Sequence, residues 1–183
     1  MDRSGTKPLV NLLINEPRNV LRANGSIKFI KGTAARSMNP PSKIINALKG
    51  SNTISAEVWF KPSNLKQDGP ARLLTISGGT SDRNFTIGQE GRSLQARVRT
   101  TSTSKNGLPA LESNALLTTK VTHAVYSFNR GRAKLYINGR LVKKQKISGT
   151  FDNWDKNYKI SMGNEVSNNR PWLGTIYYAA IYN

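Results

Sequence analysis

Arg97 and Arg99 sit two residues apart in SLQARVRTTS, where Leu94, Ala96 and Val98 alternate with Gln95, Arg97 and Arg99. Successive side chains of an extended strand leave opposite faces, so both guanidiniums project from one face, about 7 Å apart, with the Gln95 amide beside them. A guanidinium offers a planar fork of donors that matches a carboxylate or sulfate. Two forks at this spacing suit anions repeated along a polymer. Lys134 and Tyr136 share one side of KLYIN in the same way and are expected to join the arginines in one basic concave groove. Two loops add Arg83 in SDRN and Arg170 with Trp172 in NNRPW, and aromatic rings stack on sugar faces or bases. With Tyr126, the candidate ligand-binding set is Arg83, Gln95, Arg97, Arg99, Tyr126, Lys134, Tyr136, Arg170 and Trp172.

The residues for acid–base catalysis lack the pairing that chemistry needs. Glycoside hydrolysis requires two carboxyl groups flanking one bond. Asp152 and Asp155 are the closest pair, but FDNWD reads as a turn around Trp154, and Glu57 stands alone in its strand. No catalytic residue is assigned. His123, the single histidine, is read as a structural position, and Trp59 and Trp154 as core or loop anchors. Asp82, Asn84 and Glu90 are weak calcium candidates, because calcium takes about six to eight oxygens and favours several carboxylates. No cofactor is assigned. The absence of cysteine excludes thiol catalysis, disulfide scaffolding and thiolate metal sites.

Twenty-eight Lys and Arg face ten Asp and Glu in 183 residues, a formal charge of +18. Such a field concentrates anions, which points to acidic polysaccharide first and nucleic acid second. No acid occurs between Ser113 and Phe151, where Lys120, Arg130, Arg132, Lys134, Arg140, Lys143, Lys144 and Lys146 all fall. Consecutive Lys143 and Lys144 cannot face the same side, so that strand is expected at an exposed sheet edge, where lysines discourage strand addition. The longest apolar run, near IYYAAIY, is too short for a membrane helix, so no membrane insertion is expected.

The elements that must position these groups are short strands separated by turn signals. SIKFIKG (26–32), ISAEVWFKP (54–62), ARLLTIS (71–77), NFTIGQ (84–89), SLQARVRTTS (93–102), KVTHAVYSFN (120–129), YKISMGN (158–164) and GTIYYAAIYN (174–183) read as strands. KLYINGRLVKKQKI reads as a hairpin closed by Asn138-Gly139 in a type I′ turn. Leu135 and Ile137 are its core face. One helix is expected at SKIINALKG, with Gly50 as its cap. The segments 77–84, 103–114 and 164–172 are expected as rim loops. The spacing predicts one all-β domain over residues 1–183, a two-sheet antiparallel sandwich.

Taken in order, ISAEVWFKP, GPARLLTIS with RNFTIGQ, THAVYSFN followed by KLYINGRLV, FDNWD and RPWLGTIYYAAIYN resemble the laminin-G-like, concanavalin A-type jelly rolls of bacterial extracellular proteins. The resemblance is clearest from about residue 46 to 183. It implies two stacked antiparallel sheets and, in most members, binding of carbohydrates, proteins or sulfated polymers. Some members hold calcium, and a minority of the wider superfamily cleave polysaccharides. The expectation is a non-catalytic, extracellular module for an acidic polysaccharide, with a capsid-like or adhesion role as the alternatives.

Overall fold

A computed structural model describes residues 2–183. Its strands are β1 (Leu12–Ile14), β2 (Val20–Ala23), β3 (Ser26–Phe29), β4 (Ala35–Ser37), β5 (Thr53–Pro62), β6 (Ala71–Ser77) and β7 (Arg83–Glu90), followed by β8 (Ser93–Val98), β9 (Leu111–Glu112), β10 (Thr122–Asn129), β11 (Arg132–Ile137), β12 (Arg140–Lys146), β13 (Lys159–Met162) and β14 (Gly174–Tyr182). They form two seven-stranded antiparallel sheets. The first has the order β1-β4-β13-β6-β7-β8-β9 and the second β12-β11-β10-β5-β14-β3-β2. This is the expected concanavalin A-like sandwich, in which one helix, α1 (Ser42–Ser51), precedes β5. No helix among the described residues is long and apolar enough to cross a membrane.

The two sheets differ in how their sequences bury. Along β5, Ile54, Ala56, Val58 and Phe60 are buried while Glu57 and Trp59 turn outward, and β10 and β11 alternate likewise. That is the pattern of a sheet with one face on the core and one in water. In β6 and β7 nearly every residue is buried, so the middle of the first sheet is covered on both faces. Between the sheets lies the core, in which Trp172 meets Phe29 and Phe60 edge-on and Phe151 stacks between Phe128 and Trp154.

Three local expectations resolve at this level. Asn138 and Gly139 take φ values of 50° and 77°, the two positive angles a type I′ turn needs. Strand β12 is the edge of the second sheet, with Arg140, Lys143, Lys144 and Lys146 exposed, as its consecutive lysines require. The helix ends differently from expectation: it runs through Gly50 and closes on Asn52, whose left-handed φ of 53° lets its N–H reach the Leu48 carbonyl. Asn is the commonest substitute for Gly at such a cap.

Candidate functional site

Alternation in β8 places Gln95 and Arg97 on the outer face of the first sheet, and Leu94, Ala96 and Val98 in the core. Arg72 and Thr75 of β6 and Arg83 and Thr86 of β7 join them on that face, tied by contacts from Arg83 to Thr86 and from Thr75 to Thr86. A register shift between Ile76 and Ser77 brings Arg83 opposite Ser77 and turns its side chain outward. The three expected rim loops converge over this polar bed. The Thr80 carbonyl accepts from Arg72 Nη2 at 3.1 Å and from Arg83 Nη2, the Lys105 carbonyl accepts from the Arg83 N–H at 3.1 Å, and the loop after β13 delivers Glu165 and Arg170. Asn169 Nδ2 ties that loop to Thr80 Oγ1 at 2.8 Å.

The charges on this face are unequally partnered. Arg72 and Glu165, both fully buried, pair at 2.9 Å, and Glu165 Oε1 also accepts from Ser77 Oγ and the Val166 N–H. Burial lowers the Arg72 pKa and Glu165 opposes that shift. Arg83 is equally buried, but among the described residues it has no carboxylate partner and its Nε donates to nothing. Desolvation, followed by the charges of Arg72 and Arg97, brings its pKa down to about 9. Arg97 is half-buried and held in a chain in which Glu112 accepts from Gln95, Gln95 Oε1 accepts twice from Arg97, and Asn106 Oδ1 accepts from Arg97 Nη1 at 3.1 Å. Arg170 reaches the Gly69 carbonyl through Nε and the Asn169 carbonyl through Nη1. A guanidinium carries about five N–H donors, so both Arg97 and Arg170 keep some to offer.

Unsatisfied groups point the same way. Three of the five buried side-chain polar atoms without a hydrogen-bond partner among the described residues are donors on or beside this face: Arg83 Nε, Arg99 Nε and Asn164 Nδ2. All three atoms are buried, so they add positive potential beneath the surface rather than contacts on it.

Several sequence-based placements change. Arg83 is fully buried beneath the rim loops, so it cannot touch a ligand as a loop residue would. Tyr126 and Trp172 are fully buried, Tyr126 against Phe85 and Trp172 donating from Nε1 to Gln89, so neither ring can meet a ligand without opening the core. Lys134 and Tyr136 do lie together, yet on the outer face of the second sheet, so they cannot share a groove with Arg97 and Arg99. The calcium candidates do not converge: Asn84 and Glu90 stand at opposite ends of β7, about 20 Å apart by strand rise. Asn84 is occupied by two bonds with the Asp155 backbone, and Glu90 accepts from the Gly69 N–H. The sequence reading passed over Arg72 and Glu165. Thr75 and Ser77, alternating with Leu74 and Ile76, were the available sign that β6 has a polar face.

A laminin G family model of the concanavalin A-like lectin/glucanases superfamily matches residues 36–183. The chain belongs to this superfamily. No curated protein matches it significantly. Among solved structures, this concanavalin A-like chain is similar to the CBM40 of the Ruminococcus gnavus IT-sialidase bound to α2,3 sialyllactose, with 16% identity, a TM-score of 0.65, and 87% of this chain and 90% of that one covered. It is also similar to domain 4 of AbnA, an extracellular GH43 arabinanase of Geobacillus stearothermophilus, in complex with arabinotriose, at 20% identity and a TM-score of 0.62 over 94% and 82% of the two chains. The receptor-binding domain of botulinum neurotoxin mosaic serotype C/D matches at 15% identity and a TM-score of 0.68, with 96% of this chain and 43% of that one covered. At these identities the likeness is one of fold.

Proposed function

We propose that this chain is a non-catalytic carbohydrate-binding domain for an acidic polysaccharide, a uronate or sulfated glycan, acting outside the cell. The observation that carries the reading is the buried Arg83 guanidinium, which has no carboxylate partner among the described residues and lies behind Arg97 and Arg170 with the charges of all three on one face. In this reading Arg97 and Arg170 bind the acid group directly, the Gln95 amide and Asn106 hold Arg97 at the right angle, and Arg72 and Arg83 add positive potential from below. Low dielectric strengthens that potential. The sugar-bound states of two structures with the same fold, one of them a domain of an extracellular enzyme, support a carbohydrate ligand. Carboxylates on this face favour binding over hydrolysis: Glu165 is neutralised by Arg72, while Glu112 and Glu90 accept from Gln95 and Gly69.

Thermal-shift screening tests the function at physiological salt, because a ligand that binds only the folded state raises its apparent stability. The panel is polygalacturonate, heparan sulfate, dextran sulfate and single-stranded DNA at equal charge concentration. The expected result is stabilisation by a uronate or sulfated glycan but not by the other polyanions, lost in Arg97→Met and Arg170→Met. Equal stabilisation by all four overturns the specificity, and a flat response to every glycan overturns the function.

A further inference from the structure

The outer face of the second sheet carries a feature that the acidic-glycan reading does not use. Trp59, Tyr177 and Tyr178 are 41%, 42% and 46% exposed, side by side on β5 and β14. A contiguous patch of exposed aromatic rings, unlike single exposed side chains, marks an interaction surface. A register shift between Ile176 and Tyr178 breaks the alternation of β14, so two consecutive tyrosines face outward. Between them and Trp59 lies an open depression of ≈ 410 Å³ with Glu57 among its lining residues.

These rings are held in place rather than left free. Glu57 Oε1 accepts from Trp59 Nε1 at 3.0 Å and bonds His123 Nε2 at 2.9 Å. The His123 ring stacks on the indole with centroids 4.4 Å apart and planes 17° from parallel. Glu57 Oε2 accepts from the Tyr182 hydroxyl at 3.3 Å, and the Tyr182 and Tyr178 hydroxyls bond at 2.9 Å. One carboxylate thus fixes an indole, an imidazole and two phenols, so little side-chain freedom remains to be lost on binding. His123, on the β10 side, covers one face of the indole and leaves the β14 side to the depression.

We propose that the slot between Trp59 and Tyr177–Tyr178 is a second sugar site that takes one uncharged pyranose ring by stacking, with its hydroxyls bonded to Glu57 and Tyr178. The negative face of an indole attracts the slightly positive C–H face of a sugar. Glu57 on the slot lining repels an acidic group. A cation is disfavoured in turn by the +18 of the chain, while Glu57, with three of its about four acceptor sites taken, keeps one for a hydroxyl. The site lies on the sheet opposite Arg97 and stands whether or not the acidic-glycan reading holds.

The full chain reports on the slot through its own fluorescence, since Trp154 and Trp172 are 3% and 0% exposed and only Trp59 is open to a quencher. Acrylamide quenching is measured with cellohexaose, xylohexaose and mannohexaose at millimolar concentration, and with trigalacturonate and single-stranded DNA as charged probes. At least one neutral hexaose should protect the emission and shift it to the blue. Tyr178→Ala should weaken that binding about tenfold, and Trp59→Ala should abolish it by calorimetry. Arg97→Met leaves it unchanged, just as Trp59→Ala leaves acidic-glycan binding unchanged. Protection by none of the hexaoses, protection by the charged probes alone, or unaltered hexaose affinity in Trp59→Ala overturns the site.

Discussion

Arg72 and Arg83 are equally buried arginines on one face, and among the described residues only Arg72 has a carboxylate, so their removal should have unequal consequences. Arg72→Met leaves Glu165 buried with its charge uncompensated, which costs about 3–5 kcal/mol. For a domain of this size that is a fall in Tm of about 6–20 °C. Arg83→Met removes an orphan donor worth about 1–3 kcal/mol and breaks a charge-assisted bond to the Thr80 carbonyl worth about 1.5–3 kcal/mol. The Thr80 carbonyl keeps its bond from Arg72 Nη2, so nothing new is left unsatisfied, and repulsion from Arg72 and Arg97 disappears. The two terms nearly cancel, leaving a change of at most about 2 kcal/mol in either direction, below the cost of Arg72→Met. Urea denaturation with linear extrapolation measures both variants. If Arg83→Met costs as much as Arg72→Met, the unpartnered-charge reasoning is refuted.

Lys43 Nζ, 2.6 Å from Asp2, holds that carboxyl well below the usual range, so its contribution is complete above about pH 4 and falls away as the pH drops further. Asp2→Asn should remove this acid-side dependence, read from hydrogen exchange at the Val10 amide that Asp2 accepts from. Lys134 stands directly opposite Lys144, and Lys144→Glu should raise stability by about 0.2–1 kcal/mol in dilute buffer. The gain should vanish at molar salt, where the Debye length is about 3 Å. Gly163 has a φ of 76°, and a Cβ there would lie 2.2 Å from the buried Phe29 ring, so Gly163→Ala should cost about 2–5 kcal/mol in denaturation.

The second sheet was easier to read than the first because water touches one of its faces. ISAEVWF and KLYI alternate cleanly, and the same period applied to THAVYSFN puts Tyr126 with Ala124 and Phe128 in the core, where the structure has it. It also turns Trp59 outward with Glu57, a sign present in the sequence but outweighed by the habit of burying tryptophan. Strands β6 and β7 hide this signal, since loops bury their outer face as well. Trp172 lies in an irregular segment without a period, and nothing local announced its burial. The grouping of Lys134 with Arg97 failed for a different reason: side-chain parity does not reveal which sheet a strand joins, and only the strand order separates β11 from β8.

The most direct test of acidic-glycan binding is an NMR titration that follows the side-chain signals of the full chain at physiological salt. The titrant is the acidic oligosaccharide giving the largest thermal shift. The account predicts that the Arg97 and Arg170 Nε–H signals and the Gln95 and Asn106 amides move together and saturate, while the β11–β12 lysines stay in place. Movement confined to Lys134, Lys144 and Lys146, with Arg97 unmoved, would contradict it.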